Sequence, residues 1–346
     1  MMRVMDEGYD VELNEAVRRG KKMKKDYIKA VMIGHAVGDA LGLPVEFFER
    51  EKIDENPVVD MRGYGAFNMP AGSWSDNTSM SLAAFDSLAK DELDYFDIMV
   101  NFARWLANGE YTPTGEAFDV GRTCLKSIRC FIYATYSEDN GFIMPPGYSD
   151  TSWGQRGEYA NGNGSLMRIH PFVLYAFAKE APFIEWVEII KKASCLTHAH
   201  RRSQIGCIIY SFVLMALLNE QSKEAVERGF ARAYSALSDH PELVYYKRIF
   251  KDDFASLDRN EINSSGYVVD TLEAALWCLL TTDNYSDCVL KAVNLGRDAD
   301  TVAAVAGGLA GALYGYEAIP LEWRETLIKR DYIEDMCERA VENWGN

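Results

Sequence analysis

A run of small residues near the carboxyl end of the chain places the strongest constraint on the fold. Residues 302–315 are almost all small, and they include Gly307, Gly308 and Gly311. A glycine inside a helix costs up to about 1 kcal/mol relative to alanine, so a helix that keeps three of them must gain something in exchange. Close packing against another helix is the natural gain. We therefore predict that this helix lies at the centre of the domain and fixes the residues just before it.

Helical periodicity extends over most of the chain, with apolar residues at mixed spacings of three and four. The predicted helices cover residues 27–42, 77–90, 94–107, 117–135, 183–195, 203–219, 223–237, 268–281, 286–294, 300–315 and 321–342. Strand-like alternation is scarce, and no βαβ rhythm or fixed repeat appears. The pattern predicts a mostly α, single-domain architecture.

The segments outside these helices divide into an arm and three long loops. Residues 1–26 are strongly charged and poor in large apolar groups, which predicts a disordered arm or a docking element ahead of the domain at residues 27–346. Loops as long as 49–76, 138–165 and 238–266 are usually functional in a compact domain. We expect the substrate to bind among them.

Composition excludes several classes of protein. The formal net charge of −16 argues against nucleic-acid binding, which needs a basic surface. Seven scattered cysteines without metal-ligand spacing favour a reducing compartment, and we expect the cytoplasm. No apolar run of about 18 residues or signal-peptide core is present, so no membrane association is predicted.

Two polar clusters far apart in the sequence each precede a long apolar run. They are residues 75–78, with the sequence SDNT, and residues 298–301, with the sequence DADT. Such residues are favoured helix N-caps, and their oxygens are also the ligands that hard divalent cations prefer. Both interpretations remain open from the residues alone. If both helices belong to the core, the clusters could converge on one polar site.

Three further sequence features contain residues that could take part in catalysis or ligand binding. Glycines at residues 34–42 are expected to break a helix, and Glu46 follows them. The turn at residues 161–165 presents backbone N–H groups of the kind that accept phosphate or ribose oxygens, although such a turn is most often only a turn. His198, in the sequence THAH, is by itself more often a satisfied polar residue than a ligand.

Taken together and in this order, the five clusters resemble the ADP-ribosylglycohydrolase family over residues 28–316. The matching stretches are GDALGLPVEF from Gly38, GSWSDNTSM from Gly72, GNGSLMRIHP from Gly162, THAH from Thr197, GYVVDTLEAALW from Gly266 and NLGRDADTVAAVAGGLAGALYG from Asn294. The resemblance implies an all-α, orthogonal helical bundle. It also implies a hydrolase that removes ADP-ribose from modified protein side chains with two divalent cations, Mg²⁺ or Mn²⁺.

The resemblance also implies roles for individual residues. The implied metal ligands are Ser75, Asp76, Asn77, Asp298, Asp300 and Thr301. The implied catalytic residues are Glu46, Asp76, Asn77 and Asp300. The implied substrate-binding residues are Gly162, Asn163, Gly164, Ser165, His198 and Tyr267, the last as an aromatic wall near the adenosine.

Asn77 departs from the family pattern, which commonly has a second aspartate at this position. The amide removes one negative charge and a possible general base. A natural working variant, a degenerate site and an engineered substitution all explain it. Our first hypothesis is an arginine-directed hydrolase that reverses mono-ADP-ribosylation, since the chain resembles bacterial members.

Two further hypotheses concern the partners of the chain. A binding or structural protein on the same fold, like the crystallin-like relatives, is the alternative to an enzyme. Relatives of the family can serve as immunity proteins against ADP-ribosyltransferase toxins, and residues 1–26 could insert into the cleft of such a toxin.

Overall fold

The computed structural model describes residues 25–149 and 151–344, and these residues are mostly helical. The α-helices are α1 Lys25–Gly42, α2 Arg50–Glu55, α3 Asp76–Leu88, α4 Tyr95–Asn108, α5 Arg122–Thr135, α6 His170–Ala178, α7 Phe183–Cys195, α8 Arg201–Asn219, α9 Lys223–Leu237, α10 Val268–Leu280, α11 Tyr285–Val293, α12 Ala299–Tyr314, α13 Leu321–Thr326 and α14 Arg330–Trp344. Short 3₁₀ turns lie at Leu43–Val45, Gly65–Phe67, Pro241–Phe250, Phe254–Ser256, Arg259–Glu261 and Tyr316–Ala318. The strands β1 Tyr136–Ser137 and β2 Gly141–Phe142 form one small antiparallel hairpin. The predicted all-α fold is confirmed.

The helix of small residues, α12, lies in the core against α1. Gly34, Gly38 and Gly42 recur every four residues and therefore share one face of α1. A Cβ atom on Gly38 would lie only 2.1 Å from the carbonyl oxygen of Ala303 on α12, so the two backbones are in direct contact. The central position predicted for α12 is confirmed. The expected break at residues 34–42 is wrong, because these glycines serve helix contact within an unbroken α1.

Replacing Gly38 by alanine is expected to lower the free energy of unfolding by about 2–3 kcal/mol, because the added methyl group forces the α1 and α12 backbones apart. Urea denaturation measures the loss. Gly157→Ala is the control, since a Cβ atom there would have nothing within 4 Å. Equal stability of the two variants would contradict the close contact between these helices.

Two core helices are also apolar enough to cross a membrane by length and composition. The two segments are Asp26–Val45 and Arg201–Asn219, and 94% and 89% of their apolar windows are buried inside the fold. Packing within the core therefore accounts for their apolar character.

Several predicted boundaries differ from the structure. Helix α6 was missed because its buried residues occupy all sides and leave no amphipathic pattern. The predicted helix at 321–342 is two helices, separated by a turn in which Lys329 has a φ of 53°. The predicted helix at 117–135 begins only at Arg122, so residues 117–121 are loop. Residues 1–24, most of the predicted arm, lie outside the described residues.

Candidate active site

The two polar clusters meet at the amino-terminal ends of α3 and α12. The hydroxyl of Ser75 donates to Asp300 Oδ2 at 3.1 Å, although 225 residues separate them in the sequence. Asn77 Nδ2 donates to the same oxygen at 2.8 Å. Thr301 Oγ1 donates to Asn77 Oδ1 at 3.2 Å. The clusters thus form one buried polar site, as their placement before two core helices allows.

Asp39 on α1 organises the first cluster, and sequence reasoning gave it no role. Its carboxylate accepts the backbone N–H groups of Ser75 and Thr78, both at 3.0 Å, and the Thr78 hydroxyl at 2.6 Å. Burial raises the pKa of Asp39 to about 6, while these hydrogen bonds act in the opposite direction. The signal in the sequence was an acid inside an otherwise apolar helix, because a buried carboxylate needs partners.

Three carboxyl groups gather beside this cluster. Ligand oxygens of Glu46, Asp298 and Asp300 all lie within 4.8 Å of one another. Glu46 Oε2 and Asp300 Oδ1 are buried and have no hydrogen-bond partner among the described residues. Burial, reinforced by neighbouring acids, raises the pKa of both Glu46 and Asp300.

This donor set fits a hard divalent cation. Crowded carboxyl oxygens without a counter-charge are unfavourable in a buried site, and a cation bound by Glu46, Asp298 and Asp300 would satisfy them. Magnesium and calcium both prefer such oxygen ligands. The number of cations, predicted to be two, stays a prediction.

Two further acids, Asp76 and Asp119, line the adjoining cavity. Asp76 Oδ2 accepts the backbone N–H of Gly121 at 3.4 Å, and the charge of Asp119 contributes to the raised pKa of Glu46. Burial, followed by the charge of Asp298, raises the pKa of Asp119 to about 7. Sequence reasoning missed Asp119 because it placed residues 117–121 in a helix.

Asn77 is fully buried and does not line the cavity. A carboxylate only accepts hydrogen bonds, so the amide nitrogen of Asn77 must be the atom that faces Asp300. Its amide oxygen accepts from Thr301, which leaves that oxygen as the atom able to coordinate a cation. In this structure Asn77 therefore acts as a neutral donor that joins the two clusters.

A cavity of about 680 Å³ opens beside the acids and is large enough for a dinucleotide-sized ligand. Of the residues predicted to bind substrate, those that line it are Gly162, Asn163, Gly164, His198 and Tyr267. Ser165 does not line it, because this residue is fully buried beneath the turn and its hydroxyl accepts from Ser194 at 3.0 Å. The prediction that Ser165 contacts substrate is not supported by this position.

The glycine turn is tied directly to the acids. Asn163 Nδ2 donates to Asp298 Oδ2 at 2.8 Å and to Thr271 Oγ1 at 2.9 Å. A Cβ atom on Gly164 would lie 2.9 Å from His198 Cε1, so glycine is needed for the imidazole to pack beneath the turn. Asn163 therefore orients Asp298, in addition to lining the cavity.

A chain of buried hydrogen bonds connects Arg168 through Thr197 to the ring of His198. Arg168, which is fully buried and can only donate, gives a hydrogen bond to Thr197 Oγ1 at 2.7 Å. The Thr197 hydroxyl lies 2.8 Å from His198 Nδ1 and is free to donate to it. Burial and the charge of Arg168 lower the pKa of His198 to about 3, so the ring is neutral. When the Thr197 hydroxyl donates to Nδ1, the proton of the neutral ring lies on Nε2, where it can donate to a ligand in the cavity.

Replacing Thr197 by valine is expected to remove this preference for the Nε2–H tautomer and to weaken ADP-ribose binding about tenfold, because the chain of hydrogen bonds from Arg168 is broken. Nitrogen-15 NMR of the imidazole and calorimetry measure the two effects. Thr197→Ser keeps the hydroxyl and should behave as the wild type. An unchanged tautomer in the valine variant would show that Thr197 does not set it.

The structure defines an all-α protein with an acid-rich cavity where the amino-terminal ends of two core helices meet. The sequence model of the ADP-ribosylglycohydrolase family matches residues 21–346, and the chain belongs to that family. The resemblance drawn from the motifs is thereby confirmed.

The curated relatives and a solved structure agree with this assignment. The chain is 33% identical over 318 residues to "ADP-ribosylarginine hydrolase Tri1" of Serratia proteamaculans, covering 91% of this chain and 78% of the relative. It is 32% identical to "ADP-ribosyl-[dinitrogen reductase] glycohydrolase" of Rhodospirillum rubrum, covering 87% and 90% of the two chains. A solved "ADP-ribosylglycohydrolase-related protein complex" superposes with a TM-score of 0.74 at 27% identity, covering 93% of this chain and 99% of that one.

Proposed function

We propose that this chain is a divalent-cation-dependent hydrolase that releases ADP-ribose from ADP-ribosylated arginine side chains. The observation that carries the proposal is the cluster of Glu46, Asp298 and Asp300. It contains two buried oxygens without hydrogen-bond partners among the described residues, Glu46 Oε2 and Asp300 Oδ1, and Glu46 and Asp298 line a cavity of dinucleotide size. The relatives named above support the reaction class. Localisation in the cytoplasm remains part of the proposal, and all seven cysteines are free thiols.

The residues around the cavity have separable tasks. His198 offers a hydrogen-bond donor to ribose or phosphate oxygens, and the side-chain oxygen of Asn163 can accept from a ribose hydroxyl, since its amide nitrogen already donates to Asp298 and Thr271. Tyr267 offers an aromatic face for the adenine. Cations held by Glu46, Asp298 and Asp300 would supply positive charge that polarises ribose hydroxyls and acidifies water near neutral pH. Asp76 would stabilise the positive charge that develops on the ribose as the glycosidic bond breaks.

The Glu46 and Asp119 pair is suited to moving a proton. Glu46 and Asp119 both line the cavity and interact electrostatically. Burial raises the pKa of Asp119 to about 7, which lets this carboxyl group act as acid or base close to neutral pH. The pair would deliver a proton to the departing nitrogen or remove one from the attacking water.

The charge of the site favours arginine as the acceptor. Glu46, Asp76 and Asp119 border the cavity, and a guanidinium group is always cationic and pairs with carboxylates through two parallel hydrogen bonds. A serine acceptor would bring no charge to balance these acids. The relatives described as arginine hydrolases agree with this preference.

The test is release of free ADP-ribose from an arginine-ADP-ribosylated protein in Mg²⁺ or Mn²⁺, with EDTA as the matched control. We expect release that depends on the cation, with a serine-linked substrate cleaved far more slowly. No release by either the wild type or Asn77→Asp would contradict the enzyme, and tight ADP-ribose binding by both without turnover would indicate a binding protein. A role in immunity to a toxin depends on residues 1–26, most of which lie outside the described part of the chain.

A further inference from the structure

One exposed aromatic ring lies beside the acid cluster in a strained conformation. Phe47 directly follows Glu46, lines the cavity and is 67% exposed. Its φ is 62°, in the left-handed region that a bulky residue rarely adopts. Such strain persists where the surrounding structure enforces it, and it concentrates at functional sites.

Paired backbone hydrogen bonds enforce the conformation of Phe47. Its N–H donates to the carbonyl of Arg297 at 2.6 Å, and the N–H of Arg297 donates to the carbonyl of Phe48 at 2.7 Å. Arg297 is itself left-handed, with a φ of 58°, and it directly precedes Asp298. The contact therefore fixes the Phe47 ring and two of the acids, Glu46 and Asp298, relative to one another.

Phe47 begins a cluster of three rings, here called the aromatic rim and composed of Phe47, Phe67 and Phe118. The ring centroids of Phe47 and Phe67 are 6.2 Å apart, and those of Phe67 and Phe118 are 5.5 Å apart. Phe118 directly precedes Asp119, just as Phe47 directly follows Glu46. Glu46 and Asp119, which both line the cavity, are thus each adjacent in sequence to a ring of the rim.

Acids and aromatic faces in this arrangement recognise one kind of group. A guanidinium ion stacks on aromatic rings while its N–H groups bind carboxylates. A hydroxyl group or a neutral amide gains much less from either contact. At the far part of the cavity the positive charge of Arg202 is already balanced by Glu158 at 2.7 Å and Glu242 at 2.8 Å, so that region does not offer the same match.

We propose that Phe47, supported by the other two rings of the aromatic rim, forms the acceptor subsite, which binds the guanidinium of the ADP-ribosylated arginine between the Phe47 ring and the Glu46 and Asp119 carboxyl groups. This inference rests on the proposed arginine hydrolase function and assigns its specificity to Phe47 in particular. The backbone hydrogen bond of Phe47 to Arg297 holds its left-handed conformation and fixes the position from which the ring lines the cavity.

Kinetics on an ADP-ribosylated arginine peptide test the subsite. Phe47→Leu keeps an apolar side chain without an aromatic face, and it should raise KM about three- to thirtyfold while the Kd for free ADP-ribose stays unchanged. Phe47→Tyr should restore the wild-type KM. Tyr133→Leu removes a ring that is 93% exposed and does not line the cavity, and it serves as the control.

The outcomes separate the subsite from the proposed function. An active wild type with the same KM in Phe47→Leu would overturn the subsite alone. A Phe47→Leu variant that loses affinity for free ADP-ribose to the same extent would also overturn it, because the ring would then serve the nucleotide. A wild type that releases no ADP-ribose from the arginine peptide would overturn the proposed function and the subsite with it.

Discussion

Replacing Asn77 by aspartate is expected to destabilise the cation-free protein by about 2–5 kcal/mol and to make its stability strongly dependent on Mg²⁺ or Mn²⁺. In the wild type the buried amide of Asn77 donates to Asp300 Oδ2 at 2.8 Å. Aspartate would set a second carboxylate against that oxygen, and neither group could donate unless one is protonated. A bound cation would attract both carboxylates and reverse the loss.

The pH dependence of this variant follows from the same repulsion. The pKa of the new carboxyl group should be raised in the folded state, so its penalty is small at low pH and grows as the pH rises past the unfolded value near 4. Thermal unfolding of both proteins in EDTA and in Mg²⁺, between pH 5 and pH 8, measures the effect.

Asn101→Asp is the matched control for Asn77→Asp. Asn101 is also fully buried, and its amide nitrogen donates at 3.1 Å to the carbonyl of Ala83. Its replacement should lower the stability of the protein, and Mg²⁺ should not restore it. The reason is that Asn101 donates to a backbone carbonyl and not to an acid of the site. If Mg²⁺ stabilises both variants to the same extent, the contact between Asn77 and Asp300 does not belong to a cation site.

Replacing Asp119 by asparagine is expected to lower kcat by about 10²- to 10⁴-fold, the usual contribution of a general acid or base. The amide keeps the size of the side chain, but it cannot exchange a proton near neutral pH. Asp119 lies outside the group of three carboxyl groups that approach within 4.8 Å. Cation binding should therefore be retained, and calorimetry with Mn²⁺ beside steady-state kinetics separates the two effects.

Asp97→Asn provides the comparison for Asp119→Asn, because Asp97 pairs with Lys90 on the surface at 2.7 Å and does not line the cavity. Its activity should match the wild type. If Asp119→Asn loses cation binding in proportion to kcat, Asp119 is a ligand; if it keeps full activity, it has no part in the proton transfer.

The sequence predicted those parts of the site that repeat a local pattern. The small residues of α12 predicted its central position, whereas the glycines of α1 were expected to break the helix and instead serve its contact with α12. The polar residues at the starts of α3 and α12 identified both halves of the buried polar site. These predictions succeed because helix starts and close helix contacts have local signals. The resemblance to family motifs then assigned distant segments to one site, which no local sequence pattern could do.

The missed residues owe their roles to contacts between distant segments. Asp119 lies in a loop whose apolar spacing continues the helical pattern of α5, so the sequence predicted a helix there. Its proximity to Glu46 is a consequence of the tertiary structure. In the sequence, Asp39 is an isolated acid within an apolar helix. Its role depends on the fold, which places the N–H groups of Ser75 and Thr78 within hydrogen-bond distance of its carboxylate. Ser165, by contrast, was predicted to bind substrate but lies buried under the glycine turn, since the direction of each side chain in a turn depends on tertiary packing.

Anomalous diffraction from crystals grown with Mn²⁺ and ADP-ribose would examine the site most directly. We predict a manganese peak among the carboxyl groups of Glu46, Asp298 and Asp300, with ADP-ribose extending from the acids past the glycine turn to Tyr267. A cavity that binds ADP-ribose with no manganese peak at these three residues would contradict the cation-dependent site.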